Sequence, residues 1–193
     1  MPGSFISRLA RPQPVPGGGG AAAHAACTAV GLLQKILRLE LRRTENLPAP
    51  DFNWPQLLNR TEVLAERLKW LREEDGKAYT GLAEAKATGD QTWVGALNYA
   101  TDCPIMIIEA AGDAFGPIME TGAGCSSRLL SDLLAACEIL NGAGSAAYHI
   151  AGANIKRMPD AGGREEYSKK LEDQISILRR RFLETTRFLI SRS

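Results

Sequence analysis

Apolar residues recur at helical spacing through most of the chain. Between positions 56 and 86, Leu57, Leu64, Leu68, Leu71, Ala78 and Leu82 fall on one face. Between 165 and 190, Leu171, Ile175, Leu178, Phe182 and Leu189 follow at spacings of three, four and seven. Three further stretches, 21–43, 91–121 and 126–158, are richer in Leu, Ile, Val and Ala and read as helices, the second interrupted at Pro104. Residues 4–10 suit a short helical turn, and the order of the first ten residues is left open. No stretch alternates as a half-buried strand does. The pattern predicts an all-α fold, a bundle of about five long helices in a single domain spanning 1–193. Arg11–Gly20, with three prolines and four consecutive glycines, reads as a loop, and 44–55 as a connection.

The first and fourth long helices are apolar or small on most sides. Their polar residues keep to narrow stripes: His24, Thr28, Lys35, Arg38 and Arg42 on the first, Glu138, Asn141, Ser145 and His149 on the fourth. A helix apolar nearly all round is buried. Two such helices in a chain of 193 residues predict that a second subunit completes the burial, most simply in a two-fold homodimer.

Composition narrows the functional classes. Hydrophobic residues make up 45% and charged residues 23%, and the formal net charge is +1. That balance does not suggest a nucleic-acid or membrane-surface partner. No apolar run approaches the ~20 residues that cross a bilayer. The N-terminal apolar stretch is too short for a secretion signal, so a cytoplasmic location is expected. Cys27, Cys103, Cys125 and Cys137 include no Cys-x-x-Cys pair and read as reduced, buried thiols; no metal site is expected.

Several positions carry candidate chemistry. Gly17–Gly20 precede a helix, whose start has unpaired N–H donors and a partial positive charge. The segment suits a ligand carbonyl, carboxylate or phosphate, or is simply a flexible entry loop. It is not a nucleotide fingerprint, since no strand precedes it. Asp75 continues the Leu64, Leu68, Leu71 face, and a carboxylate there must be paired, protonated or functional. Pro104 cannot donate its N–H, so it frees a carbonyl and kinks or starts a helix. Asp102, two residues earlier, reads equally as an N-cap or a ligand contact. Ser126 and Ser127 suit a helix start. His24 and His149 lack evident carboxylate partners. The basic stripe Lys35, Arg38, Arg42 and Arg43 is a solvated face or a site for an acidic tail.

Taken in order, these segments resemble the cyclodeaminase and cyclohydrolase family of folate enzymes. Pro14-Val15-Pro16-Gly17-Gly18-Gly19-Gly20-Ala21-Ala22-Ala23 is similar to the family's Pro-Thr-Pro-Gly-Gly-Gly-Ser/Gly-Ala-Ala opening. Glu74-Asp75-Gly76-Lys77-Ala78-Tyr79 resembles its Asp-x-x-Ala-Phe stretch, and Ala100-Thr101-Asp102-Cys103-Pro104-Ile105 its Ala-Thr-Asp/Glu-Val-Pro-Leu. Gly122 through Ser127 to Asn154 is similar to its Gly-Asn-x-Asn-x-x-Ser-Asp-Ala-Gly helix. The resemblance spans roughly 5–190.

The resemblance implies an all-helical dimer with a tetrahydrofolate derivative as substrate and no further cofactor. It implies either hydrolysis of 5,10-methenyltetrahydrofolate to 10-formyltetrahydrofolate or ring closure of 5-formiminotetrahydrofolate with loss of ammonia. By the same comparison, Pro16, Gly17, Gly18, Gly19, Gly20, Ala21, Thr101, Asp102 and Ser127 are expected to bind substrate. Lys35 and Arg38 are expected at its glutamate tail, and Asp75 in proton transfer or in holding the pterin. Arg128 stands where the family has Asp, and the nearest carboxylate is Asp132, the second catalytic candidate. The family's two helix asparagines fall at Ala146 and Ile150, with Asn154 one turn further on. Those departures make a repurposed helical dimer, binding a folate-like ligand or a protein partner, the alternative reading.

Overall fold

In a computed structural model, which describes residues 4–45, 52–88 and 92–192, the regular structure of the chain is helical. The elements are α1 (Phe5–Leu9), α2 (Gly18–Thr44), α3 (Trp54–Thr88), α4 (Trp93–Asp113), α5 (Phe115–Gly124), a 3-10 turn (Ser127–Leu129), α6 (Leu130–Ile155) and α7 (Ala161–Ser191). The five long periodic segments correspond to α2, α3, α4 with α5, α6 and α7. Residues 46–51 of the 44–55 connection lie outside the described residues.

Four helices close a ring. α2 packs on α3, α3 on α4, α4 on α6, and α6 back on α2, while α7 lies across α4 and α6. The residues that set the apolar period meet inside the ring: Leu33 and Leu37 of α2, Leu68 and Leu71 of α3, Leu97 and Ile107 of α4, and Leu133 and Leu140 of α6 are wholly buried. Leu178 of α7 closes the far side, over Gly144 of α6.

The interruption expected at Pro104 is absent. α4 runs through Pro104 and ends at Asp113. Pro117 lies in the first turn of the next helix, where no N–H is required, so the chain restarts at Phe115. Asp102 is correspondingly mid-helix and caps nothing. Within one chain the apolar faces of the first and fourth long helices are buried and their polar stripes lie open. Thr28, Lys35, Arg38 and Arg42 of α2, and Glu138 and His149 of α6, are exposed.

Two carboxylates near opposite ends of α2 fix that helix. One is Asp75, described below. The other is Glu40, wholly buried, whose Oε1 accepts the Ser126 N–H at 3.1 Å while Oε2 accepts from Arg43 Nε at 2.6 Å. Glu40 thereby ties the last turns of α2 to the chain entering α6. Replacing it leaves the partly buried Ser126 N–H without its acceptor, and a donor so stranded is costly. Glu40→Leu is expected to lower unfolding free energy by about 3 kcal/mol, read from urea midpoints at constant slope.

Candidate functional site

α2 begins at Gly18, three residues before the expected boundary, so the glycines form its first turn rather than an entry loop. Close approach is what requires them. A Cβ on Gly19 would lie 2.0 Å from Asp75 Oδ1, and one on Gly18 would lie 2.9 Å from Ile150 Cδ1 of α6. Gly helix propensity is poor, so tertiary packing holds this turn. The preceding segment reaches it through a cis Val15–Pro16 bond.

Asp75 reaches this turn from the middle of α3. Its Oδ2 accepts the Gly20 N–H at 2.8 Å, one of the donors that a helix start leaves without an internal partner. Burial pushes the Asp75 carboxyl above its ordinary value, and the Gly20 hydrogen bond opposes part of that rise. The glycine cradle is therefore partly filled by the protein itself: Gly20 serves Asp75, leaving the N–H groups of Gly18 and Gly19 for a ligand.

A cavity of about 260 Å³ opens beside this contact. Gly17, Gly18 and Gly19 form one side, with Pro14 and Val15 of the preceding segment. Asp75, Tyr79 and Leu82 of α3, Ala100 of α4, and Ile150, Ala153 and Asn154 of α6 complete it. The volume holds a bicyclic ring rather than a whole drug-sized ligand. Val15 also borders an open groove of about 600 Å³ lined by Arg8, Arg11, Arg72 and Lys77, with Glu73 and Glu84.

The N-terminal segment is pinned against this end. Phe5 stacks on His24 with centroids 4.3 Å apart, and the Arg72 guanidinium lies 5.3 Å from the Phe5 ring. Burial, then the charge of Arg72, lowers the His24 pKa. Neighbouring groups are committed elsewhere. Glu74 accepts from Tyr99 at 2.7 Å and Lys77 at 3.0 Å, which lowers its pKa. Burial, then the charge of Asp75, pushes the Cys103 thiol up to about 12, so it stays protonated.

The structure brings together Gly17, Gly18, Gly19, Gly20 and Asp75, with Pro16 against Gly20 and Ala21 in the same helical turn. The remaining expected site residues lie elsewhere in the chain. Thr101 is wholly buried and donates to Leu97 O. Asp102 accepts from Lys170 at 2.7 Å and Tyr167 at 3.1 Å, tying α4 to α7. Lys35 pairs with Asp132 at 3.3 Å and Arg38 with Glu62 at 3.1 Å. At 1.5 Å per residue, Lys35 sits about 22 Å along α2 from Gly20. Ser127 is exposed on the 3-10 turn, beside the Ser126–Glu40 contact. Arg128 is exposed on the same turn, remote from the cavity.

Tyr79, Ile150 and Asn154 were not among the expected site residues. Asn154 had a legible signal: the carbonyl freed by Pro104 needs a donor, and Asn154 Nδ2 supplies it at 2.8 Å to Ala100 O. No three His, Cys, Asp or Glu side chains converge as a metal site among the described residues. The four thiols are free. Among the described residues no helix is long and apolar enough to cross a membrane.

These features define an all-helical protein with a cavity between the glycine turn of one helix and a half-buried carboxylate of the next. The family profile of formiminotransferase-cyclodeaminase matches residues 2–173, and the chain belongs to that family. Among solved structures, formiminotetrahydrofolate cyclodeaminase from Thermotoga maritima aligns with a TM-score of 0.86 over 97% of this chain and 94% of its own, at 18% identity. No curated protein matches the sequence significantly.

The Gly19 contact generates a test. Gly19→Ala drives the Asp75 carboxylate away and strands the Gly20 N–H, which is expected to cost about 1–3 kcal/mol. Asp75→Asn keeps an oxygen that accepts from Gly20, so its midpoint should stay within about 1 kcal/mol of wild type. Paired urea titrations check both.

Proposed function

We propose that this protein is a folate one-carbon enzyme that hydrolyses 5,10-methenyltetrahydrofolate to 10-formyltetrahydrofolate, with Asp75 as the proton-transfer group. The observation that carries the reading is the carboxylate held against the glycine turn, beside a ring-sized cavity in a chain of this family. The methenyl bridge carbon is cationic, and water adds to it with loss of a proton. Asp75, ionised, takes that proton and gives a neutral tetrahedral carbinol at the bridge. The bond from that carbon to N5 then breaks, N5 receives the proton from Asp75, and the carbinol hydroxyl proton passes to solvent water as the formyl carbonyl forms, so that one proton is released overall. The raised pKa of Asp75 makes it a stronger base than an exposed carboxylate and a ready donor in the second step. Ring closure of 5-formiminotetrahydrofolate with loss of ammonia uses the same carboxylate to protonate the leaving amine.

In this reading the pterin ring occupies the cavity and the glutamate tail leaves past Val15 into the basic groove. Arg8, Arg11, Arg72 and Lys77 border that exit, whereas Lys35 and Arg38 lie far along α2 from it. The exposed stripes of α2 and α6 are assigned to contact with a second copy. Light scattering at micromolar concentration is expected to give the mass of a dimer; a monomeric mass removes the self-association part.

Decay of the methenyl chromophore, corrected for the spontaneous rate, tests the chemistry. Wild type should accelerate it, and Asp75→Asn should lose about 10²-fold or more in kcat while still binding folate. The wild-type kcat should fall as pH drops through a value above that of an ordinary carboxylate, because protonated Asp75 cannot accept the proton from water. No acceleration by wild type in either the hydrolytic or the deaminating assay leaves the alternative, a ligand-binding helical dimer without this catalysis.

A further inference from the structure

Pro104 lies in the middle of α4. An ordinary residue there would give its N–H to the carbonyl of Ala100, four residues back, and proline has none to give. Ala100 is buried, so water does not readily replace the missing donor. The donor comes from another helix, as Asn154 Nδ2 of α6 bonds Ala100 O at 2.8 Å.

That bond fixes more than a carbonyl. The reversed amide would set Asn154 Oδ1 against the Ala100 oxygen, two acceptors facing each other, so only one orientation of the side chain is stable. With Nδ2 committed, Oδ1 accepts no hydrogen bond among the described residues, and Asn154 lines the cavity that Asp75 enters from the opposite helix. Among the described residues the lining has three polar side chains, Asp75, Tyr79 and Asn154. Of these, Asn154 is the one whose side chain is locked as a neutral acceptor.

We infer that Asn154 is the specificity-determining residue for the pterin ring. Its Oδ1 accepts from the N–H edge formed by the 2-amino group and N3, and so sets the one-carbon bridge toward Asp75. Pro104 is a positioning residue that acts through Ala100 and Asn154. A neutral amide suits this task, since it recognises N–H donors without adding a second buried charge, and it leaves the carboxylate for proton transfer. The inference rests on the folate reading above.

The test compares binding of 5-formyltetrahydrofolate and its 2-desamino-2-methyl analogue to the full chain by calorimetry. Wild type should prefer the amino compound by about tenfold or more, because a site built for an N–H group rejects a ligand that lacks it. Asn154→Leu should bind the two within about twofold, having lost the acceptor that distinguishes them. Pro104→Ala removes no polar atom from the cavity but restores the helical N–H to Ala100, releasing the Asn154 amide to rotate. It should weaken the amino compound about threefold or more and leave the methyl compound unchanged. Circular dichroism establishes folding first; if Asn154→Leu does not fold, Pro104→Ala decides. Unchanged discrimination in the deciding variant overturns the proposal. Equal binding of both compounds by wild type also overturns it while leaving the folate reading intact, and binding of neither removes both.

Discussion

The structure depends on how closely the first turn of α2 approaches its neighbours. Gly19 meets the Asp75 carboxylate of α3, which a side chain there would displace, and Gly18 meets the Ile150 Cδ1 methyl of α6, which would have to shift for one. A three-glycine turn is a poor helix in isolation. It persists because α2 is anchored along its length by Ala22, Ala26, Val30, Leu33 and Leu37, all buried between α3 and α6. The cavity is what remains beside that contact, so its shape follows from the packing that needs the glycines.

The two ends of α2 obey one rule with opposite roles. At its start, α2 supplies the N–H of Gly20 and α3 supplies the carboxylate of Asp75. Near its end, α2 supplies the carboxylate of Glu40 and receives the N–H of Ser126. Both are charge-assisted contacts in which a side chain satisfies a backbone donor near a helix start. They differ in surroundings. Glu40 is wholly enclosed and also held by Arg43, whereas Asp75 borders a cavity. One carboxylate is therefore spent on architecture and the other remains accessible to chemistry.

Helix identity was legible because the Leu and Ile spacing of α3 and α7 matches the helical period and nothing else. The glycine turn was not legible as helix, because the reason it folds lies in Asp75 and Ile150, 55 or more positions away. Asp102 shows the same limit. Its partners Tyr167 and Lys170 arrive from α7, and no local pattern around residue 102 announces them. The chain order of Thr101, Asp102 and Ser127 suggested one site, yet α2 carries its two ends to opposite poles of the bundle and Ser127 goes with the far one. Pro104 was read as a break because its lost hydrogen bond was visible while the replacement from Asn154 was not.

A helix tied at both ends behaves as a strut. Sliding α2 along its axis to enlarge the cavity would stretch the Gly20–Asp75 bond and, twenty residues on, the Ser126–Glu40 bond as well. The wall across from α3 and α6 has no such bracing. Pro14 and Val15 belong to a stretch without long helix, held down where Phe5 rests on His24. Any change in the width of the cavity therefore falls to this segment, which makes residues 4–16 the side of the cavity that is most readily reshaped.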